Sequence, residues 1–240
     1  MKLKRALVAL AALCGQAPTC WAWGSLVLME ARPQHETLSV GGQVMILPHA
    51  SGSADTSQTL IPGVDFYSPS GWFASTENGV GWTASTPPQW LAGVRIWPQF
   101  GRPQADAIHA PAVGDRLQLQ AFANWAPNSY LLLQSAQSVG SGLHRQGFQS
   151  EWGLTSGLPI GADLLGLGVS ATWANHPYQE VYLGQARSGW ADWSWTASLT
   201  HRFNPHWHLD AQWQWAHLIE PAKGLQSRQQ GGLLSVWYDY

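Results

Sequence analysis

The chain has 240 residues, of which only 11% are charged, and it contains 16 tryptophans. Soluble domains carry about 25% charged residues, so the composition argues against a soluble protein, and the excess of acids over bases argues against a nucleic-acid binder. The mean hydropathy is only −0.14, and beyond the N-terminus the sequence has no apolar run of the roughly 18 residues that a membrane helix needs. This combination is typical of sheets with one apolar and one polar face.

Residues 1–22 have the pattern of a secretory signal peptide. A basic start and a short apolar run lead to small residues, and we expect cleavage after Ala22. A lipidated cysteine is the alternative, but the residues before Cys14 and Cys20 suit that signal poorly. Cleavage would remove both cysteines and leave nine basic against fourteen acidic residues, a net charge of −5. Residues 23–35 then form an N-terminal periplasmic segment.

Residues 36–240 are expected to form an outer-membrane β-barrel. Turn signals divide them into twelve candidate strands: 36–48, 58–68, 71–77, 79–84, 90–99, 114–125, 128–138, 145–157, 162–174, 190–202, 206–218 and 228–240. Many are about ten residues long, the length of a tilted membrane strand. Ten strands are the alternative, since 71–77 and 79–84 can form one bent strand, and 178–184 is a further candidate strand.

Apolar and polar residues alternate along these strands, as in "HWHLDAQWQWAH" at 206–217. Successive side chains of a strand point to opposite faces. The predicted lipid-facing residues are Leu117, Leu119, Trp125, Trp173, Trp193, Trp195, Leu199, Trp207, Leu209, Trp213 and Trp215. The predicted lumen-facing residues are Arg116, Gln118, Gln120, Glu151, Asp192, Arg202, Asp210, Gln212 and Asp239. This pattern predicts a transmembrane antiparallel barrel whose lumen is more filled than open.

A secreted β-sandwich is the soluble alternative. Its outer faces would normally be rich in charge, whereas the polar faces here consist mostly of Gln, Ser, Thr and Gly. Tight turns also alternate with longer loops, and outer-membrane barrels have short periplasmic turns and longer outer loops. Both features favour the barrel over the sandwich.

The C-terminal segment carries an apolar stripe of the kind by which bacterial barrels are recognised for insertion. Counting by twos, the stripe consists of Leu234, Val236, Tyr238 and Tyr240. We therefore expect the barrel-insertion machinery and outer-membrane lipid to be partners of the chain, and we expect a monomer.

The sequence resembles the MipA/OmpV family of outer-membrane proteins. The resemblance lies in "SVGGQVMILPHASGSADTSQTLIPGVDFYSPSGWFASTENGVGW", "GDRLQLQAFANW", "GADLLGLGVSATWANHPYQEVYLG" and "SLTHRFNPHWHLDAQWQWAHL". It implies a barrel and a non-catalytic scaffold that binds a murein hydrolase or synthase in the periplasm. A narrow channel for small solutes is the alternative function, because different activities are attached to family members.

The sequence predicts no enzyme activity, cofactor or metal. Phosphate-binding glycine loops and the HExxH and GxSxG motifs are absent from the sequence. His206, His208 and Asp210 share one strand face, but residues two apart on a strand converge poorly on one ion. His176, His217, Glu220 and Ser227 are expected near the outer rim, and their spacing does not indicate an activated nucleophile.

Overall fold

The computed structural model describes residues 32–84, 86–99, 112 and 114–240. They form a closed ring of twelve antiparallel strands in which each strand pairs with its sequence neighbours and β1 pairs with β12. The strands are β1 Thr37–Pro48, β2 Thr56–Tyr67, β3 Trp72–Ser75, β4 Gly79–Thr83, β5 Trp90–Gln99, β6 Arg116–Asn128, β7 Leu131–Ser141, β8 Gly147–Ile160, β9 Asp163–Ala174, β10 Gly189–Arg202, β11 Trp207–Leu218 and β12 Arg228–Asp239. The predicted barrel and its count of twelve strands are confirmed.

The alternative count of ten is wrong because β3 and β4 are separate strands. They pair with each other from Trp72 opposite Trp82 to Ser75 opposite Gly79. Gly79 begins β4 with a φ of 75°, a conformation open to glycine, and a Cβ there would lie 2.4 Å from the carbonyl oxygen of Ile96. The glycine therefore permits a sharp turn against β5.

The segment considered as a further strand, 178–184, lies mostly in a helix, α1 His176–Leu183. The Asn175 side chain accepts a hydrogen bond from the Tyr178 N–H, Pro177 lies in the first turn, and Gly184 ends the helix in the left-handed conformation. These are the residue types favoured at helix ends. The capping residues at both ends of the segment therefore favour a helix over a strand.

The ends of the barrel follow the predicted alternation of turns. Tight turns connect β2 to β3, β6 to β7, β8 to β9 and β10 to β11, all at the end where β1 begins and β12 ends. In bacterial barrels this is the periplasmic end. The loop of α1 and the turn at 76–78 therefore lie on the outer side of their strands.

The proposed signal peptide, its cleavage at Ala22 and most of segment 23–35 lie outside the described residues. Arg32 is described, and its guanidinium donates a hydrogen bond to the Thr83 carbonyl at the periplasmic end of β4. Within the described part of the chain, no helix is long and apolar enough to cross a membrane.

Candidate functional site

The helix α1 packs against one side of the outer mouth of the barrel. Its side chains Tyr178, Val181, Tyr182 and Leu183 are buried in one apolar cluster. The other buried members come from β9, β10 and β11: Ala174, Ala191 and Leu218. The cluster covers the inward side of these strands, because Ala174 shares a face with Thr172, and Leu218 shares one with Gln214. The outer end of the lumen is therefore apolar and closed on this side.

Below α1 lies a layer of hydrogen-bonded polar side chains. The Gln118 Nε2 donates to Gln99 Oε1 at 3.0 Å, and the Gln120 Nε2 donates to Ser138 Oγ at 2.8 Å. Across the lumen, the Gln214 Nε2 donates to Ser194 Oγ, also at 2.8 Å. All of these side chains are buried. Buried amides need partners, so this layer narrows the lumen and does not line a wide water channel.

Arg95 joins this polar layer to the turn of the β3–β4 hairpin. Its Nε donates to Gln120 Oε1 at 2.6 Å and its Nη1 donates to the Asn78 carbonyl at 3.0 Å. The guanidinium also lies 4.5 Å from the ring centroid of Trp97. A buried charge with several partners holds its neighbours in one arrangement.

A small apolar cluster lies on the periplasmic side of this layer. It contains Phe73 of β3, Leu91 of β5, Phe122 of β6 and Ala136 of β7, with Tyr67 packed against it. Phe73 and Phe122 meet edge to face with ring centroids 6.4 Å apart. This cluster anchors the short strands to the longer ones.

An internal space opens at the periplasmic end, a cavity of about 540 Å³ that we call the periplasmic cavity. Five carboxyl groups line it, against the cationic side chains of Arg32 and Arg202 and the imidazole of His208. The carboxyl groups belong to Asp65, Glu77, Asp163, Asp210 and Asp239. The cavity thus has an excess of acidic groups.

His208 lies between two of these carboxyl groups. Its Nδ1 is 3.1 Å from Oδ2 of Asp239 and its Nε2 is 3.4 Å from Oδ2 of Asp210. Asp239 also accepts from the Ser39 hydroxyl at 2.6 Å and Asp210 accepts from the Thr200 hydroxyl at 2.6 Å. The network links β1, β10, β11 and β12 at the mouth of the cavity.

The predicted lumen residues lie in several places along the barrel. Gln118, Gln120 and Glu151 are buried in the polar layer, and Asp192 accepts a hydrogen bond from the Thr172 hydroxyl at 3.1 Å. Arg116 donates to the Gly142 carbonyl, and Gln212 lines a small internal space of about 60 Å³. The remaining three, Arg202, Asp210 and Asp239, line the periplasmic cavity.

The predicted lipid-facing residues lie on the outer wall, on the strand faces opposite those lumen residues. Most are exposed in the isolated chain: Leu117, Leu119, Trp125, Trp193, Trp195, Leu199, Trp207 and Trp215. Trp173, Leu209 and Trp213 are half-buried. In the terminal stripe Leu234, Val236 and Tyr240 are exposed, and Tyr238 packs against Trp207 and Tyr240.

Of the first histidine group considered for chemistry, His208 and Asp210 lie together, with Nε2 of His208 3.4 Å from Oδ2 of Asp210, whereas His206 lies apart. His206 lies in the turn before β11, where its Nδ1 is 2.9 Å from the Asp239 carbonyl, so it does not share the position of His208. At the outer rim His176 pairs with Glu180, Glu220 pairs with Arg187, and His217 packs on Trp193. Among the described residues no three His, Cys, Asp or Glu side chains could hold a metal ion.

The inward apolar residues and α1 are the features that sequence reasoning missed. Met45, Leu47, Trp97 and Trp237 are buried on the inward face, where a polar lumen was expected. Their alternation with outward residues could have placed them there. For α1, the run Asn175, His176, Pro177 was the available signal.

The chain matches one protein-family model and shares its fold with a solved porin. The model of the family described as MltA-interacting protein MipA matches residues 40–223. The NanC porin shares 15% identity, covers 84% of this chain and 98% of its own, and superposes with a TM-score of 0.52. The outer-membrane channel DcaP of Acinetobacter baumannii shares 8% identity over 89% of this chain and 100% of its own, with a TM-score of 0.43. The comparison with curated proteins finds no significant match.

Proposed function

Because the chain belongs to the family of MltA-interacting proteins, we propose that this outer-membrane β-barrel is a non-catalytic scaffold that binds a murein hydrolase or synthase on its periplasmic side. The observation that carries the proposal is the difference between the two ends of the lumen. At the outer mouth α1 covers the side formed by β9, β10 and β11, whereas the periplasmic cavity is open and lined by acidic groups. A periplasmic partner reaches the barrel from the periplasmic end, so a binding surface for it has to be open at that end.

The charge of the cavity supports a partner that presents basic side chains. Asp65 has a buried carboxyl oxygen, Oδ1, with no hydrogen-bond partner among the described residues, and it lies on the cavity wall with Asp210 and Asp239. Complementary charge steers association and selects partners more than it adds affinity. We therefore expect binding to weaken as salt concentration rises.

The test is a pull-down of murein enzymes with the detergent-solubilised barrel. The double variant Asp65→Asn, Asp210→Asn removes two charges from the periplasmic cavity. The matched control Glu180→Gln, Glu220→Gln removes two charges at the outer end, where Glu180 and Glu220 pair with His176 and Arg187. The proposal expects the cavity variant to recover several-fold less enzyme and the control to recover the wild-type amount.

Two results would contradict the scaffold proposal. One is wild-type barrel that recovers neither a murein hydrolase nor a synthase. The other is recovery that responds equally to both double variants, because the periplasmic cavity would then have no special part in binding.

A narrow solute channel is the second candidate function. Its support is the polar character of the middle layer, where Gln134, Glu151 and Gln214 surround a small space of about 60 Å³. Passage would require α1 to leave the outer mouth, and so we expect the wild-type protein to show only background conductance in planar bilayers. Frequent, resolved channel openings would reverse the order of the two candidates.

We also propose that the outward stripe of β12 is recognised during barrel insertion. Leu234, Val236 and Tyr240 are exposed on one face, which supports contact with insertion machinery and then with lipid. Replacement of Tyr240 by Ser is expected to lower the amount of heat-modifiable barrel in the outer membrane. Unchanged amounts would contradict this part.

A further inference from the structure

The barrel wall is interrupted beside the short β3–β4 hairpin. β2 pairs with β3 only at Asp65, Phe66 and Tyr67, and β5 pairs with β4 only from Gly93 to Ile96. Among the described residues no strand pairs with the remaining β3-facing edge of β2, Thr56–Gly63, or with Pro98 on the β4-facing edge of β5. We call the space between these two edges, on the outer side of turn 76–78, the lateral opening.

Both edges of the lateral opening carry a proline at the position nearest the hairpin. The Val64 carbonyl accepts from the Thr76 N–H, so the even-numbered residues of β2 direct their backbone groups towards β3, and the next of these is Pro62. The Ala92 carbonyl accepts from the Ala84 N–H, so the even-numbered residues of β5 face β4, and these include Pro98. Proline has no N–H and is confined to edge strands.

The two prolines make the edges unsuitable for a further strand. A strand added to either edge would lose a ladder hydrogen bond at Pro62 or Pro98. The position is therefore built to stay unpaired, and β-strand addition by another protein chain is disfavoured.

An unpaired edge is costly at this level of a bilayer. The outward side chains beside the opening are apolar and exposed, with Leu60 76% and Ile96 50% exposed in the isolated chain. In hydrocarbon each unsatisfied backbone N–H or C=O costs several kcal/mol, and open edges are tolerated only where polar atoms can reach them. The backbone N–H groups of Gln58 and Leu60 need such acceptors.

The walls of the lateral opening carry both apolar side chains and polar backbone groups. Ile61 on β2 and Trp97 on β5 point inward beside it, and the hydrogen bond from Gln43 Nε2 to Glu77 Oε1, 2.8 Å long, closes it towards the periplasm. At the hairpin, β2 and β5 are three strand spacings apart, about 14 Å at ~4.8 Å per spacing. The opening thus offers apolar sides of sufficient width for a hydrocarbon chain, with polar backbone along its edge.

We propose that the lateral opening binds an acylated lipid of the outer leaflet. The acyl chain lies between Leu60 and Ile96 and reaches Ile61 and Trp97, while an ester or amide carbonyl of the lipid accepts from the free N–H groups on the edge of β2. The occupant is a lipid because the opening is continuous with the lipid-facing wall on both sides. This site goes beyond the scaffold function and does not depend on it.

The test uses single cysteines in a chain whose Cys14 and Cys20 are replaced by serine, reconstituted in vesicles with a lipid that carries a maleimide on its acyl chain. Thr59→Cys places the thiol on the inward face beside the lateral opening. Thr196→Cys is the matched control, since Thr196 is also inward and half-buried but lies in β10, which is paired along both edges. Leu60→Cys, on the outward face, reports that the reagent reaches the bilayer beside the barrel.

We expect Thr59→Cys to be labelled at least tenfold faster than Thr196→Cys, as measured by the mass of the intact protein. Labelling of Leu60→Cys without labelling of Thr59→Cys would overturn the proposal, because the wall would be closed. Equal labelling of Thr59→Cys and Thr196→Cys would also overturn it, because the reagent would then arrive through the barrel mouths. If Thr59→Cys lacks heat-modifiable migration, Ile61→Cys replaces it with the same criteria.

Discussion

The outer and periplasmic halves of the lumen are lined by different kinds of residue. Apolar side chains pack in the outer half, and charged and polar side chains surround an open cavity in the periplasmic half. In the outer half α1 packs on β9, β10 and β11 through an apolar cluster above a buried amide layer. In the periplasmic half, carboxyl groups and His208 surround a cavity of about 540 Å³, and many of these groups remain partly exposed. The outer half therefore stabilises and narrows the lumen, whereas the periplasmic half leaves polar groups accessible.

Removal of the outer closure is the strongest test of this division. Replacement of residues 177–183 by a glycine-serine linker removes the buried side chains of α1 but leaves the barrel strands intact. We expect conductance in planar bilayers to rise from background to resolved single-channel steps. Background conductance in a variant with normal heat-modifiable migration would mean that the polar layer alone closes the lumen.

The apolar cluster that anchors the short hairpin is expected to contribute most to stability among single side chains. Phe122→Ala removes a buried ring that contacts Phe73, and large-to-small core changes of this kind cost about 3–5 kcal/mol. The measurement is urea unfolding in lipid vesicles followed by gel mobility. Phe203→Ala, in an exposed turn, serves as the control and is expected to cost about 1 kcal/mol or less.

The cap of α1 is the next smaller effect. The Asn175 carboxamide accepts from the backbone N–H groups of Phe148 and Tyr178 and donates to the Gln146 carbonyl. Asn175→Ala is expected to lower the free energy of unfolding by about 1–2 kcal/mol and to produce occasional channel openings. Asn175→Asp keeps the acceptor and should lose less; equal losses in both variants would contradict the capping role.

Neutral replacement inside the periplasmic cavity is expected to have the smallest effect on stability. Asp210 is partly exposed beside His208, and ion pairs of this kind contribute about 1 kcal/mol or less. Asp210→Asn should therefore leave the unfolding midpoint nearly unchanged while it weakens capture of a basic partner. A loss of stability as large as that of Phe122→Ala would assign Asp210 to the structural frame.

Most of the barrel could be predicted from the sequence because alternation repeats in nearly every strand. The run from Trp207 to Leu218 is a strand with the expected faces. The strands β3 and β4 are separate, in agreement with the prediction of twelve strands. Sequence periodicity does not determine the register between strands that are distant in the sequence. The pairing of Asp239 with Ser39 needed the closed ring, because it joins the first strand to the last.

The candidate site was less predictable than the wall. Arg202, Asp210 and Asp239 were expected in the lumen, but their meeting at one end with Asp65 and Glu77 depends on the short β3–β4 hairpin. The helix α1 was missed because its N-cap Asn175 and the first-turn Pro177 lie before the stretch "YQEVYLG" that was considered as a strand. The local alternation of residues determines which face of a strand a side chain occupies. The position of a cavity depends instead on the number of residues over which each strand is paired.

The seam between β1 and β12 has a consequence for biogenesis. Ser39 and Asp239, bonded across it, are 200 positions apart in the chain. Contacts of such long sequence separation form slowly, and this one cannot form until nearly the whole polypeptide has been exported. Closure of the ring is therefore a late step. Until then, the unpaired first and last strands need protection from wrong contacts with each other and with neighbouring molecules.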